Sequence, residues 1–195
     1  DDVGLLVRER SLARRSSVRA IVGGKPMDVG TGTLVGTLLP RLMGDALVVA
    51  ATVDRRAVSL DWPLAAEASV DALTTASWEG RRVFRRSALL VLLEAARRAL
   101  PGVALQAGPR IGRQQLVHAT PELKPDDVRA IQSHLDALVG RGVPLRSEVW
   151  TIEEARARFV EEGWPDAAAL LSSYRAETLS LLACEGTLAL DLGPV

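Results

Sequence analysis

The segment from Phe84 to Leu100 most constrains what this chain can fold into, because it carries the clearest helical periodicity in the sequence. Apolar side chains recur there every three or four residues, which places them on one face of a helix. These residues are Leu89, Leu92, Leu93, Ala96 and Leu100. Pro101-Gly102 follows and ends the helix, since proline lacks an amide donor and glycine accepts a left-handed cap. The pattern predicts one long amphipathic helix near the middle of the chain.

The residues before this helix are typical of short strands joined by turns. β-prone runs flank Gly23-Gly24, which indicates a hairpin. Leucine and valine then recur at helical spacing over residues 33–43, and Pro40 is expected to shorten or kink that helix. The predicted strands are Val18–Val22, Pro26–Val29, Ala46–Val53, Ala57–Leu60 and Val70–Leu73. The resulting order, β-β-α-β-β-β, is that of a β-grasp fold.

The residues after the long helix mix both kinds of element. A helix is predicted over Pro125–Gly140, with an apolar face of Val128, Ile131, Leu135, Leu138 and Val139. A capping box of Thr151 and Glu154 begins a helix over Ile152–Glu162, and Pro165 begins another. The predicted strands are Val103–Ala107, Gln114–Ala119, Leu145–Thr151, Thr178–Ala183 and Thr187–Leu192, and the first two flank a loop over Gly108–Gly112. The expected fold class is therefore α+β.

Length and composition exclude several classes of protein. The chain has 195 residues, of which 48% are hydrophobic, which is enough for one or two domains with a buried core. No apolar run approaches the roughly 18–20 residues of a membrane-spanning helix, so no membrane partner is expected. Residues 1–16 lack the apolar stretch of a signal peptide. The single cysteine, Cys184, excludes an intrachain disulfide and a cysteine-rich zinc site, and we expect a cytoplasmic protein.

The net charge is zero, but its distribution along the chain is uneven. Eight arginines accompany two glutamates between Trp78 and His118, whereas acidic residues outnumber basic ones by thirteen to seven from Ala119 to Val195. Arginine binds phosphate oxygens in pairs, so the phosphate of a nucleotide or RNA is the predicted ligand. The candidate binding residues are Arg81, Arg82, Arg85, Arg86, Arg110 and Arg113. The same arginines also suit a solvated face or salt bridges between domains, and that alternative stays open.

Two local features would favour an anion at these arginines. Arg85 and Arg86 are expected at the positive end of the Phe84–Leu100 helix, where free backbone amides also attract negative charge. Arg110 and Arg113 are expected in the Gly108–Gly112 loop, where glycine allows a phosphate to approach the backbone.

The sequence contains no convincing catalytic or metal-binding motif. Gly23-Gly24-Lys25-Pro26 lacks the spacing and the hydroxyl of an ATP-binding P-loop. His118 and His134 have no second ligand at metal-binding spacing and are predicted to be structural or solvated. The paired carboxylates are predicted to form the solvated face of a capped helix, and the tryptophans to anchor a core or an interface. They are Glu153, Glu154, Glu161 and Glu162, and Trp62, Trp78, Trp150 and Trp164.

The ordered set of segments resembles a known family. Ser17 to Ser77, with its "VVAATVD" and "AVSLDWPL" strands, resembles a TGS domain, which is a ubiquitin-like β-grasp. The segments "RRSALLVLLEAARRALPGVAL" and "LSLLACEGTLALDLGPV" are similar to the second additional (editing) domain of threonyl-tRNA synthetases. The resemblance implies a lead-in over residues 1–16, a TGS-like β-grasp domain over 17–77 and an α+β domain like the synthetase editing domain over 78–195.

The editing chemistry of that family is not implied for this chain. The synthetase domain holds zinc with His-x-x-x-His at the start of its long helix and Cys-x-x-x-His near its closing turn. The matching positions here are Arg86, Leu90, Asp191 and Val195, and none offers a thiolate or imidazole ligand. We therefore expect no zinc and no hydrolysis of mischarged tRNA from this chain.

A second family shares the same two domains. Uridine kinase-like proteins of the phosphoribulokinase type resemble this chain at the junction before the long helix, Ser77-Trp78-Glu79-Gly80-Arg81-Arg82-Val83-Phe84-Arg85-Arg86-Ser87. This resemblance implies an N-terminal accessory module, binding nucleotide or RNA, ahead of a C-terminal kinase domain that uses ATP and Mg²⁺. The alternatives are part of a threonyl-tRNA synthetase-like protein with a degenerate editing site, and a structural or dimerisation module in which homo-oligomers form.

Overall fold

The computed structural model describes residues 16–112, 114–191 and 193–194. The lead-in predicted for residues 1–16 lies outside the described residues apart from Ser16, and so do Arg113, Leu192 and Val195. The chain divides into two compact units, one ending at Thr74 and the other beginning at Thr75. Sheets and helices are both present, which confirms the predicted mixed α+β class.

The first unit is built on one sheet. Its strands are β1 (Ser17–Val22), β2 (Lys25–Gly30), β3 (Leu42–Met43), β4 (Ala46–Val53), β5 (Arg56–Val58) and β6 (Ala68–Thr74). The strand order is β2-β1-β6-β4-β3, with β5 pairing to β4. Strands β1 and β6 run parallel at the centre and β1 and β2 form the predicted hairpin, which is the β-grasp arrangement. Gly23 and Gly24 make the hairpin turn with positive φ angles of 54° and 81°.

The helix predicted over residues 33–43 is wrong. The structure has a single 3₁₀ turn at Val35–Leu38, with extended residues on both sides of it, and then strand β3. The backbone amides of this segment bond to the chain beyond β5 instead, from Val35 to the carbonyl of Trp62 and from Gly36 to that of Leu60. A Cβ at Gly36 would lie 2.9 Å from the Leu60 carbonyl oxygen, so this close approach requires glycine. Pro40 also disfavours a helical residue before it.

The second unit contains four helices and five strands among its described residues. In chain order these are α1 (Trp78–Ala99), β7 (Ala104–Ile111), β8 (Gln114–Thr120), α2 (Pro125–Gly140), β9 (Leu145–Thr151), α3 (Ile152–Glu161), α4 (Pro165–Leu171), β10 (Thr178–Cys184) and β11 (Thr187–Leu190). Strands β7 and β8 form one hairpin sheet, and β11-β10-β9 form an antiparallel sheet with β10 in the middle. The predicted capping box of Thr151 and Glu154 at the start of α3 is confirmed.

The central strand β10 serves two hydrophobic cores. Its side chains alternate, so Leu182 and Cys184 pack with α1, α2 and β7, whereas Leu179, Leu181 and Ala183 pack with α3 and α4. The second half of β10 is thus buried on both faces, which explains why Leu181–Cys184 is a continuous apolar run.

The buried faces of α1 and α2 differ from the apolar faces predicted for these helices. The most deeply buried apolar residues of α1 include Leu90, Val91 and Ala95, which were not in the predicted stripe, because the helix packs on more than one side. On α2 only Ile131 and Leu138 are fully buried, and Val128 and Val139 are exposed because the helix contacts its core along a narrower line.

Candidate functional site

Four of the six predicted arginines lie on the first half of α1, but not where they were expected. The helix begins at Trp78 rather than Phe84, because the hydroxyl of Ser77 accepts a hydrogen bond of 3.0 Å from the Gly80 amide and caps it. Arg85 and Arg86 therefore lie about two turns inside the helix. The prediction that they stand at its positive end is wrong, because the capping serine begins the helix six residues earlier.

Arginine and tryptophan share one exposed face of α1. Trp78, Arg81, Arg82 and Arg85 are spaced i, i+3, i+4 and i+7, and we call these four residues the α1 basic face. The guanidinium of Arg82 lies 4.8 Å from the centre of the Trp78 ring, and this tryptophan is 54% exposed. The Nη1 atom of Arg81 donates to the carbonyl of Ala76 at 2.6 Å, which ties this arginine to the chain before the helix.

Arg86 points elsewhere. It donates a hydrogen bond to the carbonyl of Pro194, and its guanidinium lies next to Gly193. Burial and the positive charge of Arg82 lower the pKa of Arg86, and the carboxylate of Asp191 opposes this shift. Since free arginine titrates far above neutral pH, Arg86 keeps its charge and holds the turn after β11.

Of the two remaining arginines, the structure describes Arg110. Arg110 lies in β7, which extends to Ile111, so the prediction that Gly108–Gly112 is a loop is wrong. The strand continues because Gln115 and Gln114 pair with Arg110 and Ile111 after a register shift. The side chain of Arg110 is exposed, and Arg113 falls outside the described residues.

A cleft runs along strand β11, between α1 on one side and α3 and α4 on the other. It consists of two cavities, of about 500 and 270 Å³, which share Leu93, Phe159 and Trp164 and which we call the edge cleft. The larger cavity lies next to Thr187 and Leu188 and is bordered by Arg97. The smaller cavity is apolar apart from Arg86; its other lining residues are Leu89, Leu90, Leu93, Phe159, Trp164, Ala167, Leu182, Ala189 and Leu190.

Glu94 forms a buried charge network beside this cleft. Its carboxylate is 0% exposed and accepts two hydrogen bonds of 2.9 Å from Arg97, one from Arg98 and one of 2.8 Å from the Thr187 hydroxyl. Burial acts to raise the pKa of Glu94, but the hydrogen bonds from Arg97, Arg98 and Thr187 outweigh it and lower the pKa. Glu94 therefore stays ionised inside the protein.

The same network grips the turn between β10 and β11. Glu185 pairs with both Arg98 and Arg141. Gly186 lies against the guanidinium of Arg97, and a Cβ there would come within 2.4 Å of Nη2. Arginines from α1 and from the end of α2 thus hold this turn, and Arg158 of α3 donates a hydrogen bond of 3.5 Å to the Gly186 carbonyl.

The lowered pKa of Glu94 predicts how stability depends on pH. A group whose pKa falls on folding contributes stability above its unfolded pKa and loses this contribution as the pH drops through the folded pKa. We expect Glu94→Gln to destabilise the protein most near neutral pH, and the difference from wild type to shrink below about pH 4. Urea unfolding of both proteins between pH 3 and pH 7 measures this. A difference that does not change with pH would contradict an ionised Glu94.

The cysteine and the two histidines lie on three different elements of the structure. Burial, followed by the charge of Glu94, raises the pKa of the Cys184 thiol, which is buried against α1 and stays protonated. His118 and His134 are exposed on β8 and α2. Across the described residues, no group of three or more His, Cys, Asp and Glu side chains is arranged to hold a metal ion.

The tryptophans divide between core and surface. Trp150 and Trp164 pack in the α3–α4 core, as predicted, and the Trp164 ring stacks 6.3 Å from Phe159. Trp62 and Trp78 are exposed, so neither anchors a core. In the described part of the chain, no helix is long and apolar enough to cross a membrane.

The positions that match the synthetase zinc ligands lie near one another. Arg86 and Leu90 are one turn apart on α1 and both line the apolar end of the edge cleft. Asp191 follows β11 and acts electrostatically on Arg86. The fourth position, Val195, lies outside the described residues. A guanidinium, a leucine and a carboxylate therefore occupy the place of a thiolate and imidazole set.

The chain folds as a mixed α+β region, and its similarity to threonine–tRNA ligases shows that this region is threonyl-tRNA synthetase-like. The threonine–tRNA ligase of Rhodospirillum rubrum is 29% identical over 155 residues, or 76% of this chain and 23% of the ligase. That of Granulibacter bethesdensis is 28% identical over 167 residues, or 83% of this chain and 26% of the ligase. That of Rubrobacter xylanophilus is 30% identical over 139 residues, or 68% of this chain and 21% of the ligase. This chain thus spans about a quarter of the length of these relatives.

No model of a known protein family matches the chain.

Proposed function

We propose that this chain is an RNA-contacting region of a protein related to threonine–tRNA ligases, and that it binds tRNA through the α1 basic face. The observation that carries the proposal is the exposed Trp78 with Arg82 over its ring and Arg81 and Arg85 beside it. The similarity to threonine–tRNA ligases over 76% of the chain supports tRNA as the nucleic acid.

The chemistry of the α1 basic face suits unpaired RNA. Proteins bind single-stranded loops and ends by stacking bases on aromatic rings or guanidinium planes, with arginine contacting the phosphates. Trp78 and Arg82 provide a stacking surface, Arg81 adds charge beside Arg82, and Arg85 adds charge one turn further along the helix. Glu79 is the acidic residue in the first turn of α1. It is not one of the four residues of the α1 basic face, so that face keeps a net positive charge.

The proposal assigns binding and no metal-dependent hydrolysis to this chain. Hydrolysis of the zinc type needs a metal-bound water held by thiolate, imidazole or carboxylate ligands. Arg86 and Leu90 cannot serve as such ligands, and Asp191 already accepts hydrogen bonds from Ser147 and the Gly193 amide. Hydrolysis of the zinc type would have to come from residues outside this region.

The experiment compares tRNA binding by wild type and an Arg82→Ala, Arg85→Ala double variant. We expect the variant to bind about tenfold more weakly, because two partly exposed charged contacts are lost. The slope of log affinity against log salt should also fall by about 0.7 for each phosphate contact removed. Fluorescence anisotropy with labelled tRNA at several salt concentrations gives both quantities.

A matched control removes the same charge elsewhere in the second unit. Arg156 and Arg175 are exposed on α3 and after α4, so an Arg156→Ala, Arg175→Ala double variant should bind tRNA like wild type. Trp78→Ala should weaken binding without changing the salt slope, since stacking releases no counterions. Equal loss in the two double variants would mean that binding is non-specific, and the proposal would fail.

The nucleoside kinase parent and the structural module stay predictions. The relatives described above are tRNA ligases, so the kinase context rests on the junction Ser77–Ser87 alone. Any residues that the same gene encodes after Val195 would distinguish a kinase parent from a ligase-like parent. A P-loop there would favour an ATP- and Mg²⁺-dependent kinase, whereas class II synthetase motifs would favour the ligase relationship. An oligomer in solution that binds no RNA would favour the structural module.

A further inference from the structure

Strand β11 has a partner on only one side among the described residues. It is an edge of the three-stranded sheet and pairs with β10 alone. Edge strands are normally short, charged or covered, because their free backbone groups invite another strand to pair. Here the free edge faces the edge cleft, whose two cavities are lined by all four residues of β11.

The hairpin register shows which backbone groups face the cleft. Cys184 pairs with Thr187 across the turn and Leu182 with Ala189, and the Asp191 amide donates to Ser180 in the same alternating series. In an antiparallel pair every second residue bonds to the partner, so Leu188 and Leu190 direct their amides and carbonyls outward. Leu188 is only 7% exposed and lines the larger cavity, so its outward groups are shielded from most solvent, whereas Leu190 is half-buried and lines the smaller cavity.

We propose that the edge cleft binds an extended peptide segment of another protein, which adds a fourth strand to the sheet next to β11. Such an addition supplies hydrogen-bond partners to Leu188 and Leu190 that the described chain does not, and a buried backbone group without a partner is unfavourable. The apolar side chains of the cleft would suit any apolar ligand. The outward backbone groups at the base of the cleft are what favour a β-strand as the ligand.

The walls of the cleft define the chemistry of the peptide. Successive side chains of an added strand point to opposite faces, one towards Leu89 and Leu93 of α1 and the next towards Phe159 and Ala167. Both walls are apolar at the Leu190 end, so the peptide carries consecutive apolar residues there, as strands buried on both faces do. At the Leu188 end the cleft is bordered by Arg97, Glu161 and Glu162, so the peptide residue there can be polar. β11 is four residues long, which sets a segment of about four to five residues. The charge of Arg86 at the apolar end favours a carboxylate on the peptide there.

The test uses synthetic peptides and hydrogen exchange of single amides. The peptides are Val-Ala-Val-Ala with an aspartate at the amino end, at the carboxyl end or at neither. Because Arg86 lies at one end of the cleft, the aspartate position that binds better shows the direction of the added strand. We expect a bound peptide to slow exchange of the Leu188 and Leu190 amides about tenfold, since each gains a backbone hydrogen bond. The amides of Thr187 and Ala189, already bonded to β10, should not change.

Two pairs of controls isolate the backbone pairing from general apolar binding. Two peptides are N-methylated at alternate amides, one at the amides that would face β11 and the other at the amides that would face away from it. The first modification should abolish binding, and the second should be tolerated. Ala167→Trp should fill the groove and prevent binding, whereas Val160→Trp, on the exposed side of α3, should leave it intact.

Three outcomes would overturn the proposal. No slowing at Leu188 and Leu190 with any peptide at millimolar concentration would mean that the edge accepts no strand. Equal effects of the two N-methylation patterns would mean that the peptide binds by apolar contact only. Slowing that rises with protein concentration in the absence of peptide would assign the edge to a second copy of this chain instead.

Discussion

Phe159→Ala is expected to lower the free energy of unfolding of the second unit by about 3–4 kcal/mol. Phe159 is 2% exposed and is among the largest fully buried side chains in the structure. It fills the α3–α4 core and stacks on Trp164, so its removal loses both apolar burial and ring contact and leaves a void. Because the void opens towards the edge cleft, water entry keeps the loss at the lower part of the usual range.

The neighbouring residue provides the control. Val160 follows Phe159 on α3 but is 63% exposed, so Val160→Ala should change stability by less than about 0.5 kcal/mol. Urea unfolding followed by tryptophan fluorescence measures both variants. A loss below about 1 kcal/mol for Phe159→Ala would mean that this side chain is not packed as described.

Glu94→Ala is expected to lower the free energy of unfolding by about 3 kcal/mol. The substitution leaves a cavity and removes the acceptor for the Thr187 hydroxyl, which is buried with it. It also removes the carboxylate that Arg97 and Arg98 share, and Arg98 keeps its pair with Glu185. Their side chains are 42% and 35% exposed, so they can regain water, which keeps the loss below that of a fully buried charge.

A second carboxylate network serves as the comparison. Asp126 pairs with Arg129 on the surface of α2, where both side chains are largely exposed. Asp126→Ala should therefore change stability by less than about 1 kcal/mol. Thr187→Val keeps the shape of the side chain and removes one bond to Glu94, so an intermediate loss of about 1–2 kcal/mol would assign part of the effect to that bond.

Much of the fold follows from patterns within single segments. Helix α2 and strands β4 and β9 have the predicted bounds, because a proline, a turn or a cap marks each end locally. The helix over residues 33–43 was wrong because its periodicity is local while its hydrogen bonds go to residues 60–64. The early start of α1 was missed because Ser77 caps a first turn that is polar, where apolar periodicity gives no signal.

The candidate site was only partly predictable for the same reason. Four of the six clustered arginines lie on α1, and the i, i+3, i+4, i+7 spacing of Trp78 with Arg81, Arg82 and Arg85 follows from the sequence once the helix start is known. Glu94 was missed because a lone glutamate in an apolar stripe looks like a solvated residue. Its partner Thr187 lies 93 positions away, and only the folded hairpin brings the two together.

The double burial of β10 has a consequence for how such chains diverge. Consecutive residues of this strand belong to different cores, so the insertion or deletion of one residue would send Leu182 and Cys184 to the α3–α4 side and Leu181 and Ala183 to the other. Gaps between related chains should therefore avoid Thr178–Cys184 and the tightly held turn after it, and collect in the connection before it. Substitution can remodel the arginines on the surface of α1, whereas the length of this one strand is held constant by the packing on its two sides.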